Sequence, residues 1–195
     1  NGDYLNYDLL IIATGTQINP DEVEGMNEGG WQKDIFDFYT FDGAKNLAKK
    51  LENWEGGKLV VHICELPIKC PVAPLEFAFL ADSFFKEKGI RDKVEISFVT
   101  PVDGAFTKPE ASEALNHLLV EKNIKVVSNF NIERVDNEHK KIVDYACKEV
   151  DYDLLVTVPT NMGAKAIERS GLGDELNFVP TNKGTLQSKV KENIF

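Results

Sequence analysis

The sequence predicts an α/β fold built on an open, mostly parallel sheet, followed by a β-hairpin or meander. Three observations predict it. Short apolar, β-branched runs recur at Leu59–Ile63, Val94–Val99 and Asp151–Val158. Segments with apolar residues at helical spacing, near 76–88 and 109–122, separate the middle strands. A polar stretch from Asn131 to Tyr145 breaks that rhythm and reads as two short antiparallel strands around a turn at Asp136–His139. Strands alternating with helices predict parallel pairing with helices on both faces.

Taken in order, residues 4–13 (YLNYDLLIIA) read as a strand that turns wholly apolar, as in a buried parallel sheet, and it ends at Thr14-Gly15-Thr16. Residues 17–40 read as irregular, with GMNEGG as a linker. A helix is expected over 42–54, with Asp42 as its N-cap, Leu47 and Leu51 on one face, and Gly56-Gly57 as its stop. The strand 58–63 follows. A second helix should end at Gly89, and Thr107 with Pro109 should open a third that runs to about Lys122. Strands are expected at 124–127 and 151–158, and a short helical piece at 167–172. The tail NFVPTNKGTLQSKVKENIF reads as two short strands joined at Asn182-Lys183-Gly184. Both ends look interrupted: NGD reads as a turn met mid-hairpin, and NIF as the start of a strand.

The 195 residues carry 22 Lys and Arg against 32 Asp and Glu, a net charge of −10. That balance argues against nucleic acid and against simple electrostatic adhesion to anionic lipid. The sequence shows neither an apolar run approaching the roughly 20 residues of a membrane span nor a signal peptide. Cys64, Cys70 and Cys147 suit neither a secreted disulfide framework nor a close-spaced zinc or thioredoxin motif, and the three histidines are scattered, so no metal site is expected.

The stretch richest in chemistry is VVHICELPIKCPVAPLEFAF, residues 60–79. A strand runs into a helix here, and a dinucleotide-binding unit would place a glycine-rich turn at this junction. Between Ile63 and Glu76 there are instead three prolines, two cysteines and no glycine. Prolines remove amide donors and the missing glycines bar close approach of a pyrophosphate. The turn places the Cys70 thiol near a helix N-terminus and beside Lys69, which favours the nucleophilic thiolate. Against this stands the reading of Cys70 as an ordinary half-buried thiol. Cys64, at a strand end, reads as buried and structural, and Cys147 as incidental. Glu76 serves the helix start, and the phenylalanines 77, 79, 84 and 85 read as core.

YDLLIIATGT resembles the strand that leaves the first FAD-binding segment in flavoproteins with two dinucleotide-binding domains, and DYDLLVTVPT its counterpart on the return. KCPVAPLEFAFLAD, with FVP and TLQSKVKENIF near the end, is similar to sulfide:quinone oxidoreductases, within the FAD-dependent pyridine nucleotide-disulfide oxidoreductases. The resemblance covers almost the whole chain. It implies a Rossmann-like second, NAD-type domain with flanking pieces of the FAD domain: residues 1–30 as the end of the first FAD segment and linker, 31–150 as the inserted domain, and 151–195 as the return. It further implies FAD as cofactor of the intact protein, with Thr14 and Gly15 beside it, and Cys70 as the redox cysteine. Sulfide would attack a disulfide between Cys70 and a cysteine outside this chain, with electrons passing through the flavin to quinone. The FAD fingerprint GxGxxG is missing, and Tyr39 stands at about the place of a third cysteine found in many such enzymes. Tyr39 leaves the enzyme subtype open, and because the partner cysteine lies outside this chain the fragment alone is expected to be inactive. Sulfide and quinone are the implied partners. The intact protein is expected in the cytoplasm or peripherally on a membrane surface, with membrane contact only through parts outside this chain, and the assembly is left open between a single chain and a homo-oligomer. Two other readings remain at this point: an NAD(P)H-dependent flavoprotein of the type-II NADH dehydrogenase or coenzyme A disulfide reductase kind, and a non-catalytic Rossmann-like interaction module.

Overall fold

A computed structural model of the protein describes residues 2–195; Asn1, where the NGD turn would begin, lies outside the described residues. The elements in chain order are β1 (Thr16–Asn19), β2 (Ile35–Phe36), α1 (Phe41–Asn53), β3 (Gly57–Ile63), α2 (Ala73–Glu87), β4 (Val94–Val99), α3 (Pro109–Glu121), β5 (Ile124–Val127), β6 (Ile132–Asp136), β7 (Lys141–Asp144), β8 (Glu149–Asp151), β9 (Leu154–Val158), β10 (Thr160–Gly163) and α4 (Lys165–Ser170). The chain divides into two compact units. One is Ile18–Thr160; the other is Asn161–Phe195 together with the N-terminal residues up to Gln17.

The larger unit holds a five-stranded sheet in the order β2-β9-β3-β4-β5, every pair of it parallel. The α/β expectation is therefore met, with one difference. Helices were expected on both faces, but α1, α2 and α3 all pack on one. Leu47, Leu75, Ala78, Phe85 and Leu119 share a core with Leu59, Val61, Ile96 and Leu154. The opposite face is covered by the antiparallel meander β6-β7-β8, whose Ile132, Val135 and Ile142 pack with Val60, Val99, Val127 and Leu155. Handedness is the reason. From β2 to β3 to β4 to β5 the chain always moves the same way across the sheet, and right-handed crossovers then put every connecting helix on one side. The return from β5 to β9 runs the other way, so its connection, the meander, falls on the other side.

Local readings shift in several places. GMNEGG is not a linker: Met26 is fully buried in the meander-side core, Val135 donates its amide to the Glu24 carbonyl at 2.8 Å, and a Cβ on Gly25 (φ +79) would strike the Val135 carbonyl. The cap of α1 is Thr40, whose hydroxyl accepts from the Gly43 amide at 3.0 Å, while Asp42 lies in the first turn. Thr107 does not cap α3. Lys108 is extended, as a residue before proline must be, and this moves the helix start to Pro109.

In the smaller unit, residues 4–13 are not a buried strand. Tyr4, Leu5, Tyr7, Leu9 and Ile11 are exposed. A buried parallel strand needs neighbours on both edges and cover on both faces; among the described residues this segment pairs with the C-terminal NIF alone. Leu10 donates to Asn193 at 2.9 Å, Phe195 donates back to Leu10 at 2.9 Å, and Ile194 is buried. The two strands expected in the tail reduce to a single bridge, Thr181 to Ser188. Gly171, at φ +67, closes α4.

One ion-pair cluster locks the helical face. The Asp82 carboxylate on α2 is fully buried and receives Lys86 at 2.7 Å, Arg91 at 2.7 Å and Lys122 at 3.2 Å. Arg91 also donates to the Val94, Lys122 and Asn123 carbonyls, which ties the end of α2 to the end of α3. Burial pushes the Asp82 carboxyl up, but the three cations outweigh it and hold it below the usual range. Asp82→Asn is expected to lower the unfolding free energy by about 3 kcal/mol at neutral pH, read from urea midpoints. Because the folded-state pKa is lowered, this stabilisation is full above the unfolded carboxylate value of about 3.9 and is lost as pH falls through the folded value, so the gap between wild type and variant closes on acidification.

Candidate functional site

The strand β3 sits in the middle of the sheet, and β9, which arrives from the far edge, lies beside it. In open α/β sheets the crevice at the carboxyl ends of such strands is where sites form. Two side-chain groups gather at this end: a buried one on β3 and β9, and an exposed one in the turn that follows.

The buried group is His62, Cys64 and Thr157. His62 and Thr157 are register partners on β3 and β9, joined by a 2.9 Å bond between Nδ1 and Oγ1. The Cys64 Sγ lies 3.6 Å from the same Oγ1 and 3.9 Å from His62 Nδ1. Burial lowers His62 to about 3 and, as the largest influence on Cys64, raises that thiol to about 12. Both are neutral near pH 7. The His62 Nε2 has no hydrogen-bond partner among the described residues; its ring stands edge-on to Phe130 at 6.0 Å and 87°. The group is a neutral cross-strand pair that holds register, as the structural reading of Cys64 expects. The role of His62 was missed in the sequence, where the only signal is a histidine inside an apolar strand.

The exposed group is the turn 64–72. Ile68 is buried in the helix-side core and anchors it, while Lys69, Cys70, Pro71 and Val72 are exposed. Cys70 lies three residues before α2 begins at Ala73. Its carbonyl accepts from the Ala73 amide at 3.3 Å and from the Tyr39 hydroxyl at 2.6 Å. The Glu76 amide donates to the Val72 carbonyl at 3.1 Å, and Pro74 has no amide hydrogen. The amides of Ala73 and Glu76 are thus engaged within the turn rather than aligned to cradle a phosphate. Burial raises the Tyr39 phenol to about 12, so near neutral pH it is a proton-bearing donor.

The other expected site residues lie elsewhere. Thr14 and Gly15 belong to the smaller unit and are exposed. Gly15 has φ +67, a left-handed backbone that by itself calls for glycine, and a Cβ there would meet nothing within 4 Å. That open space is compatible with a cofactor alongside, though these two residues enclose nothing themselves. Cys147 is exposed at φ +61 in the turn between β7 and β8, where the Asp144 carboxylate accepts from the Ala146 and Lys148 amides. Among the described residues no cluster of three or more His, Cys, Asp or Glu could hold a metal, and no helix is long and apolar enough to cross a membrane.

The chain is similar to sulfide:quinone oxidoreductases along its whole length. It is 26% identical over 200 residues to the mitochondrial sulfide:quinone oxidoreductase of Dictyostelium discoideum, covering all of this chain and 44% of that protein. It is 25% identical to the mitochondrial enzyme of Mus musculus, again covering all of this chain and 45% of that one. The crystal structure of the sulfide:quinone oxidoreductase from Aquifex aeolicus shares the fold, with a TM-score of 0.77 at 24% identity over 98% of this chain and 46% of that one. An NAD-dependent persulfide reductase from A. fulgidus shares the fold less closely, with a TM-score of 0.65 at 20% identity over 99% of this chain and 33% of that one. No family model matches. The chain spans a little under half the length of the curated relatives it matches.

The burial contrast among the thiols is testable. In the native protein, iodoacetamide should label Cys70 and Cys147 while Cys64 stays unmodified until denaturant is added, as followed by peptide mass spectrometry. Native labelling of Cys64 alongside the other two would contradict its placement.

Proposed function

We propose that this chain is the central region of an FAD-dependent sulfide:quinone oxidoreductase, with Cys70 as its redox cysteine. The observation that carries the reading is the turn 64–72, which exposes a cysteine at the carboxyl end of the central strand. Similarity to the named enzymes over the whole chain supports it. In this reading residues 1–30 and 151–195 flank an inserted domain at 31–150, and the compact unit Ile18–Thr160 contains that insert. Hydrosulfide attacks one sulfur of a disulfide between Cys70 and a cysteine outside this chain. A new S–S bond forms, the old one breaks, and the other cysteine leaves as a thiolate that carries the electron pair. A flavin bound there would supply the two-electron acceptor, with quinone as the final acceptor in this reading. On the same reading Thr14 and Gly15, with open space where a Gly15 Cβ would be, would lie along the flavin, and this chain's share of the flavin site is incomplete by itself. The intact protein in this reading works in the cytoplasm or peripherally at a membrane surface, where quinone is met.

The experiment is Cys70→Ser in the full-length protein. Sulfide-dependent quinone reduction is expected to be lost with flavin content unchanged, and in the reduced wild type Cys70 should alkylate faster than Cys147. A serine variant that keeps near-normal turnover would remove Cys70 from the reaction.

The turn also weighs against the NAD(P)H reading. Pro67, Pro71 and Pro74 withhold amide donors, and the amides of Ala73 and Glu76 are engaged. Calorimetric titration of the full-length protein with NADH is expected to show no tight binding; tight binding would favour an NADH dehydrogenase.

A further inference from the structure

The Cys70 main chain is held from outside its own turn. Pro71 follows it and offers no amide hydrogen, so the orientation of the Cys70 carbonyl rests on the donors that reach it. One is the Ala73 amide, at a long 3.3 Å. The other, at 2.6 Å, is the hydroxyl of Tyr39, thirty-one residues earlier in the loop between β2 and α1.

That loop is rigid for reasons visible in its neighbours. The buried Asp37 carboxylate accepts from the Thr40 amide at 2.7 Å and from the Thr40 hydroxyl at 3.0 Å. Thr40 in turn caps α1 through the Gly43 amide. Gly43 has to be glycine, because a Cβ there would run into the Asp37 carboxylate. Phe38 packs edge-on to the Tyr39 ring at 5.2 Å and stacks on Phe77 of α2 at 5.0 Å. The phenol is therefore held by the α1 cap on one side and by α2 on the other, with its hydroxyl on the Cys70 carbonyl.

We propose that Tyr39 is a positioning residue for Cys70: its hydroxyl grips the Cys70 carbonyl and so fixes the direction in which the thiol is presented from the turn. The proposal rests on the reading of Cys70 as the redox cysteine. A cysteine that alternates between disulfide and free thiol gains from an anchor that does not involve its sulfur, because the anchor persists through both states. Tyr39 touches neither sulfur nor substrate in this account; it acts through the main chain.

The test compares wild type, Tyr39→Phe and Cys70→Ser in the full-length protein. Tyr39→Phe keeps the ring against Phe38 and removes only the donor, so folding is retained. Loss of one short hydrogen bond is expected to raise iodoacetamide labelling of Cys70 by about fivefold and to lower sulfide-dependent turnover by a similar factor, with Cys147 labelling and the quinone KM unchanged. Unchanged Cys147 labelling separates this role from general loosening, which would speed both thiols together. The proposal is overturned if Cys70 labelling stays within about twofold of wild type, if Cys147 changes in parallel, or if turnover is unaffected. Cys70→Ser separates the two claims. If that variant keeps its turnover, the redox reading itself has failed. If it is dead while Tyr39→Phe is fully active, only the role of Tyr39 has failed.

Discussion

Burial of β3 on both faces is the constraint on which the larger unit depends. Leu59, Val61 and Ile63 point into the helix-side core, and Val60 and Cys64 into the meander-side core. Parallel ladders to β4 and β9 run along its two edges. From Leu59 onward the side chains of β3 are out of reach of water, so a polar group there is stabilised by a partner inside. His62 finds Thr157 across the ladder, and a one-residue slip of β3 against β9 would break that bond and reverse every side chain. The turn that follows thus starts from a fixed point.

The site is a consequence of that fixed start. Cys64 closes the strand inside the protein, Ile68 returns the chain to the core, and Cys70, two residues further on, is left at the surface. The same six-residue separation puts one thiol in an environment that raises it to about 12 and the other in solvent. Two cysteines in one short segment are in this way given opposite exposure. Tyr39 adds a third anchor from a distant loop, and the aromatic stack Tyr39-Phe38-Phe77 joins that loop to the helix that Cys70 precedes.

The helical face is held by charge as well as by apolar packing. Asp82, Lys86, Arg91 and Lys122 join α2 to the end of α3, while Lys88 donates to the Leu51, Glu52 and Trp54 carbonyls at the end of α1. These contacts fasten the carboxyl-terminal end of α2. Its amino-terminal end, beside Cys70, is fastened by Tyr39 and Ile68 instead, and the Ala73 amide adds only a long bond.

From the sequence by itself, the alternation of strands and helices, the parallel sheet, the meander and the cysteine-bearing turn were all legible. They are written in periodicity and in the placement of proline and glycine, which act over a few residues. Only the tertiary structure decided the rest. That all three long helices share one face follows from strand order and crossover handedness, which no local pattern carries. Met26 looked like part of a linker because its burial depends on Val135 and its neighbours, more than a hundred residues away. The apolar run 4–13 looked buried because composition reports how much cover a strand wants, whereas cover is supplied by neighbours, and among the described residues, 193–195 alone pair with it. The bond between Tyr39 and Cys70 was beyond the sequence for the same reason: residues far apart in the chain meet only once α1, α2 and β3 have packed.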